Sequence, residues 1–370
     1  MNLVCEKDMC TGCMACMNIC PKNAISIHDS YLSYNAIIDE GKCVNCNLCH
    51  GVCQNNNEIE LMNPKLWYQG WISDEKLREQ SSSGGAATAL ALKFIKEEGL
   101  VCSCIFDKGQ FVFQTASRIE DISKFRGSKY VKSNPGNIYK VVSESLLDKK
   151  KVLFIGLPCQ AAALRIYVAG ISKEAVNRLY TVDLICHGTP SPRLLEKYLR
   201  KKGIDIKKTD NIQFRSAMDF NVKCGGKYMA YPGTLDEYTL AFLRGIDYTY
   251  NCYSCRYAGI KRGSDLTIGD SWGSELSEEE KEKGISLILC QTDNGKELLR
   301  DINMQLQSVD LDKAIAANGQ LRAPYKKTKF YNIFWKKYKG NNLAWATFCC
   351  YPVKCIKQKI KALYLKYNGK

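Results

Sequence analysis

Histidine is scarce in this chain: His28, His50 and His187 are the only three among 370 residues. A zinc protein mixing Cys with His at several sites is thereby excluded, and any large metal system has to be almost wholly thiolate. Long apolar runs are missing too. Mean hydropathy is −0.27, and no uninterrupted stretch approaches the ~20 residues of a membrane span. The opening MNLVCEKDMC puts acids and cysteines where a secretory signal would put a basic start and an apolar stretch, so a cytoplasmic protein is expected. Acidic residues are the third shortage, 38 Asp+Glu facing 53 Lys+Arg for a formal net charge of +15. Such an excess favours acidic partners or anionic surfaces, and only secondarily a nucleic acid, which is not expected as a partner.

What the chain has in plenty is cysteine, 20 residues of it. A cytoplasmic thiol pool keeps such residues reduced, which points to metal or redox chemistry rather than disulfides. Two runs share one form, CTGCMACMNICP from Cys10 and CVNCNLCHGVC from Cys43. A C-x₂-C-x₂-C turn supplies three thiolates to one cubane, and in two-cluster ferredoxins the fourth Cys of each run serves the other cluster. Cys10, Cys13, Cys16 and Cys53 are therefore expected to hold one 4Fe-4S cluster, and Cys43, Cys46, Cys49 and Cys20 a second. Pro21 ends the first run, whereas Gln54 stands where a second proline is expected, which loosens that turn. Cys5 falls outside the pattern and reads as a spare thiol. Between the runs, AISIHDSYLSYNAIID predicts a hairpin turning near His28 to Ser30. Together these segments predict a small α+β ferredoxin-type domain over residues 1–63.

From Pro64 the sequence alternates strand-like and helical patterns, the signature of an α/β fold. KVLFIG (151–156), YTVDLICHG (180–188), SDLTIGD (264–270) and ISLILCQT (285–292) read as strands; CQAAALRIYVAG and PSPRLLEKYLRKKG read as helices. The expectation is a larger α/β domain over 64–330 with a mostly parallel sheet. In SSSGGAATALALKFIKEEG (81–99), serines and glycines precede a helix and could offer donors to a diphosphate, or simply form an ordinary helix start. GSKYVKSNPG (127–136) offers Lys129 to a phosphate and Tyr130 to a ring, or is a surface turn. Cys159 follows a strand, Cys186 ends another, and Cys252 and Cys255 form a C-x₂-C pair. Four thiolates at the carboxyl rim of a sheet could bind a third 4Fe-4S cluster; a zinc half-site or buried structural cysteines are the alternatives. Cys102, Cys104, Cys224, Cys290, Cys349, Cys350 and Cys355 follow no such grammar and read as core residues or spare thiols. The tail 331–370 interleaves Lys354, Lys357, Lys359, Lys361 and Lys366 with Val353, Ile356, Ile360, Leu363 and Leu365. This predicts a basic amphipathic helix, either packed on its own domain or lying against an anionic membrane surface or partner.

The order SSSGGAAT, GSKYVKS, FIGLPCQAAALR, ICHGTPS and CYSCRYAGIKRGSDLTIGDSWG resembles the beta subunit of coenzyme F-420 hydrogenase and dehydrogenase, over about residues 65–320. That resemblance implies FAD beside a 4Fe-4S cluster. It assigns Ser82, Ser83, Gly84, Gly85 and Thr88 to the FAD phosphates, Ser128, Lys129 and Tyr130 to the flavin side, and Cys159, Cys186, Cys252 and Cys255 to a third cluster. Asp270 would be a structural or cofactor contact. His187 and Lys129 are the candidate catalytic side chains, His187 as a proton donor to reduced flavin or merely as a cap on the strand turn. The implied activity is hydride exchange between FAD and a small-molecule donor or acceptor, coenzyme F-420 or another, coupled to single-electron transfer toward a ferredoxin-like or other redox protein. A relay subunit without a substrate pocket and a reductase of surface-polysaccharide synthesis are the competing readings. A homo-oligomer or complex subunit is expected. No further pair of C-x₂-C motifs is present to hold nickel, so hydrogen splitting is not expected. Three clusters and a diphosphate, each about −2, would bring the charge to roughly +7, concentrated in the tail.

Overall fold

The computed structural model describes residues 2–216 and 219–368. Strands β1 (Ile25–Asp29) and β2 (Tyr34–Ile38) form the antiparallel hairpin between the cysteine runs. Its turn lies over residues 30–33, slightly later than the sequence suggests, because the Ser30 amide donates to the Ser33 carbonyl and the Asp29 carboxylate accepts from the Tyr31 amide. The inward residues Tyr34, Ala36 and Ile38 pack with Val4, Ile25, Cys10, Cys16 and Cys53. The repeat is visible in the backbone as well as in the sequence. Helices Ala15–Ile19 and Leu48–Gly51 both start from a left-handed residue between the second and third cysteine of their run, Met14 at φ 63° and Asn47 at φ 59°.

The remaining strands are β3 (Leu66–Ile72), β4 (Leu100–Asp107), β5 (Gln110–Ala116), β6 (Val152–Gly156), β7 (Leu179–Leu184), β8 (Ile212–Gln213), β9 (Lys223–Cys224), β10 (Lys227–Tyr228), β11 (Leu266–Asp270), β12 (Ser286–Cys290) and β13 (Met304–Gln307). Strands β8 to β10 make a small sheet of their own; the other eight form one sheet in the order β13-β3-β12-β11-β7-β6-β4-β5. Its four central strands, β11, β7, β6 and β4, run parallel, while both edges are antiparallel. The parallel expectation thus holds at the centre, where strands covered on both faces become continuous apolar runs. Helices Ile138–Leu147 and Pro158–Ile171 bury one face with Phe113 and Phe154; helix Ala86–Lys96 covers the other through Leu90, Phe94 and Ile95.

Neither end of the chain is a loose appendage. Cys13, Ala15 and Val52 share a buried core with Tyr139, Val142 and Leu164 of the large domain. In the tail, Phe334, Tyr338, Leu343, Ala346 and Cys350 pack against Leu194, Leu195, Leu199 and Phe214. Among the described residues, no helix is long and apolar enough to cross a membrane.

Candidate functional site

Three neighbouring parallel strands deliver their carboxyl ends to one place, the position at which open α/β sheets bind ligands. After β6, Pro158 opens a helix at its first turn and Cys159 follows. After β7, the Ile185 amide still reaches the Ile268 carbonyl at 2.8 Å, and the chain leaves the sheet at Cys186 and His187. Gly188 makes the exit possible: its φ is 132°, and a Cβ there would stand 2.3 Å from the Tyr248 ring. A single turn, Tyr250–Ser254, carries Cys252, with Cys255 just beyond it. The Thr249 amide donates to the Thr189 carbonyl at 3.0 Å, pinning this turn to the end of the β7 loop.

Cys159, Cys186, Cys252 and Cys255 line one cavity of about 110 Å³. That is well below the ~300–1,000 Å³ of sites for organic cofactors, so the space suits a compact inorganic centre. Among the described residues no three His, Cys, Asp or Glu side chains converge tightly enough for a single metal ion. The four cysteines share this one lining, and four thiolates are what a cubane draws on. Lys132, Arg256 and Arg262 line the same cavity, and no Asp or Glu does, so an anionic cluster finds cations around it. Burial pushes the Cys186 thiol up to about 12, with Cys252 and Cys255 adding to the effect. Burial also raises the Cys159 thiol well above its ordinary range, opposed by Lys132 and reinforced by Cys255, Cys186 and Cys252. Thr249 Oγ1 and Asn251 Nδ2 lie 3.6 and 3.8 Å from the Cys252 sulfur, within reach of a metal-bound thiolate.

The N-terminal cysteine region closes the other side of this cavity through Met9, Thr11, Gln54 and Asn55. Gln54, in the place of the expected proline, is 1% exposed. Tyr257 Oη donates to Gln54 Oε1 at 2.6 Å, and Gln54 Nε2 donates to Asn55 Oδ1 at 2.8 Å and Thr11 Oγ1 at 3.3 Å. The turn that lacks proline is therefore fixed by side-chain bonds to the larger domain. Beside it, Lys132 Nζ donates to the Thr11 carbonyl at 3.2 Å.

Cys10, Cys13, Cys16 and Cys53 line a second cavity. Cys5 lines it with them, hydrogen-bonded to Cys10 and Cys53, and the bond with Cys10 is the first cause of its thiol rising to about 11. Spacing gave no sign of this fifth thiol, because the strand-like segment before the run brings it back across β2. Cys49, whose thiol burial raises, feels Cys20 and Cys43 beside it. Cys46 is exposed on the rim, next to exposed Val44 and Leu48.

The loops assigned to FAD also meet. The Ser128 amide donates to Ser82 Oγ at 2.7 Å. Ser83 Oγ donates to the Ile285 carbonyl, and a Cβ on Gly84 would fall 2.3 Å from the Gly70 carbonyl oxygen. Gly84 is thus required by strand packing, and Gly85, at φ 83°, by the left-handed start of the helix that buries Thr88. Lys129 Nζ is held by the carbonyls of Phe125, Arg126 and Gly127 at 2.8 to 3.0 Å; Lys132 is the lysine of this loop that faces the four-cysteine cavity. Tyr130 stacks on Phe242 at 4.4 Å and hydrogen-bonds with Arg215. Arg215 in turn binds Asp270 at 2.6 Å at the end of β11. His187 lies in the field of both Asp270 and Arg215; burial lowers its imidazole pKa, and Nδ1 has no hydrogen-bond partner among the described residues. Arg215, in FRSAMDF, belongs to no motif, and only the fold brings it to Tyr130 and Asp270.

A doubled ferredoxin-type cysteine run that abuts four further thiols at a sheet rim, with a polar and aromatic group beside them, defines an iron-sulfur redox protein. Residues 9–57 match the model of the 4Fe-4S dicluster domain. Residues 67–137 and 149–313 match the N-terminal and C-terminal models of the coenzyme F420 hydrogenase/dehydrogenase beta subunit. The chain belongs to that family and is an iron-sulfur oxidoreductase with an N-terminal dicluster domain. It is similar to a subunit of the F(420)H(2) dehydrogenase of Methanosarcina mazei, 22% identical over 300 residues, covering 73% of this chain and 79% of that protein. Its fold is similar to a chain in the F420-reducing [NiFe] hydrogenase complex of Methanosarcina barkeri, with TM-score 0.51 and 19% identity over 70% of this chain and 90% of that one.

Proposed function

We propose that this chain is a flavin-dependent iron-sulfur oxidoreductase in which three 4Fe-4S clusters serve one FAD site, with coenzyme F-420 or another small hydride carrier as substrate. The observation that carries the reading is the shared rim, where the four-cysteine cavity and the Tyr130, Arg215, Asp270 and His187 group occupy adjoining strand ends. Cys159, Cys186, Cys252 and Cys255 would hold the third cluster, and the eight cysteines of the double run the other two. FAD supplies, when bound, the exchange of a two-electron hydride for single electrons. Tyr130 and Arg215 would bound its ring and Ser82 and Ser128 its polar side. Lys129, capped by three carbonyls, fixes the loop's shape, and His187 keeps a neutral imidazole whose Nδ1 is free to hold or release a proton. Gln54 and Tyr257 join the backbones that follow Cys53 and Cys255 by one hydrogen bond, which couples the two cysteine regions.

A subunit role in a larger redox complex is supported by exposed Val44, Cys46 and Leu48 around the second run and by the complex in which the structural neighbour occurs. The test is anaerobic purification followed by a donor panel. The expected protein carries about 12 irons and one releasable FAD, and reduced deazaflavin, NADH, NADPH or reduced ferredoxin bleaches the flavin. About eight irons and no flavin would overturn this reading and leave a ferredoxin-like relay.

A further inference from the structure

We propose that helix Pro352–Asn368 is a docking face for an anionic lipid surface. Residues 313–370 contain 14 Lys and Arg and no Asp or Glu, whereas residues 1–312 hold 39 Lys and Arg against 38 Asp and Glu. Nearly the whole formal charge of the chain therefore sits in this one segment.

The helix is turned the wrong way for one that packs only on its own domain. Toward the body it presents Cys355, 7% exposed, Gln358, whose Oε1 accepts the Leu235 amide at 2.9 Å, and Leu365, beside Gly233. Toward solvent it presents Val353, Ile356, Ile360, Leu363, Tyr364 and Tyr367, each 46 to 78% exposed. At 100° per residue these six form one stripe about 100° wide, with Lys357 and Lys361 along one edge and Lys359 and Lys366 along the other. Apolar side chains outward, ammonium groups on both flanks and tyrosines within the stripe are the arrangement of a helix that lies in a lipid headgroup layer. Trp345, stacked on Phe348 in the preceding helix, adds a further aromatic that is 53% exposed.

The choice of cation separates lipid from protein. All five cations of this helix are lysines and none is arginine. Protein interfaces enrich arginine and deplete lysine, because the guanidinium pairs with fixed geometry, whereas a fluid anionic surface asks only for mobile point charges on stems that can snorkel. A second copy of the same face would bring two strongly positive segments together and is disfavoured by repulsion.

The experiment uses the full-length, cluster-loaded protein and flotation with vesicles of phosphatidylglycerol and phosphatidylcholine in equal parts, against phosphatidylcholine alone. The expected result is binding to the anionic vesicles only, weakened by salt, and reduced about tenfold or more by Ile360→Asp and by the pair Lys357→Glu and Lys361→Glu. These positions are exposed, so iron content and circular dichroism of both variants should match the parent. Failure to bind anionic vesicles, equal binding to neutral ones, or binding unaltered by Ile360→Asp would overturn the proposal. So would light scattering that shows a dimer which Ile360→Asp converts to monomer, because the face would then be covered by a second copy.

Discussion

The double cysteine run and the rim cysteines assemble their thiols by different means. In the first, eight cysteines lie within the 44 residues from Cys10 to Cys53, and tight left-handed turns at Met14 and Asn47 aim them. In the second, the four cysteines are spread over the 97 residues from Cys159 to Cys255, and only Cys252 and Cys255 are local neighbours. The parallel pairing of β6 with β7 and the bond from the Thr249 amide to the Thr189 carbonyl bring the rest together. A centre built by local turns depends on the sheet only through the core that Cys13, Ala15 and Val52 share with it, while a centre built by topology depends on the whole domain. The settings differ within the double run itself: Cys46 reaches solvent, whereas burial raises the thiols of Cys13 and Cys16 as it does those of Cys159, Cys186 and Cys255 at the rim.

The largest effect expected is loss of a whole cluster. Cys255→Ser should remove about four of roughly 12 irons and leave the electron paramagnetic resonance signals of the double run in place. Cys46→Ser should do the converse. If Cys255→Ser keeps its full iron content, the rim holds no cluster and the comparison collapses. Next in size is Asp270→Ala, which takes away the carboxylate that pairs at 2.6 Å with Arg215, whose side chain is 3% exposed. A destabilisation of about 1.5–3 kcal/mol is expected for losing this charged hydrogen bond, measured by urea unfolding, together with loss of FAD. Because the damage is to the large sheet, the rim cluster should be lost at lower urea than the other two.

A third test uses pH. In the double-run region Asp8 is satisfied by Ser33 and Asn35, which hold its carboxyl below the usual range. Near the rim, Asp247 is wholly buried, neither oxygen has a hydrogen-bond partner among the described residues, and burial pushes its carboxyl well up. The folded state therefore keeps a proton that the unfolded chain gives up above about pH 3.9. Stability from this group is fully present below that value and is lost as pH rises toward the folded pKa. Asp247→Asn should be near neutral in acid and increasingly stabilising as pH rises, in unfolding curves taken across the range. An unchanged pH slope would show that Asp247 has a partner the geometry does not reveal.

The two regions were also unequally legible. The ligand spacing of the first run, the strands at β6, β7, β11 and β12 and the helix after Gly85 all follow from patterns within a few residues, since burial on two faces and a left-handed start leave direct marks. Cys159, Cys186, Cys252 and Cys255 could be nominated one by one, but their meeting depends on strand order, which no local pattern carries. Arg215 and Cys5 could not be nominated at all: one is an Arg whose contacts Tyr130 and Asp270 are more than 50 residues away, the other a Cys brought back across a hairpin. The missing proline at Gln54 was visible, but its reason was not, because that reason lies in Tyr257.

That pair supplies the smallest and most discriminating test. If the two regions work as one conductor, the contact between Cys53–Gln54 and Cys255–Arg256–Tyr257 is where they couple, through the 2.6 Å bond from Tyr257 Oη to Gln54 Oε1. Tyr257→Phe removes one hydroxyl and keeps the ring, at a cost of about 1–3 kcal/mol for leaving the Gln54 oxygen unpaired. Iron and flavin contents should be unchanged. Reduction of the double run after rapid reduction at the flavin site should slow severalfold, read by stopped-flow absorbance with freeze-quench resonance spectra. Gln54→Leu should give the same slowing, and combining the two should add little, because both remove one bond. Independent, additive losses would mean that the residues act separately and that the regions couple elsewhere, most directly through Lys132 and the Thr11 carbonyl.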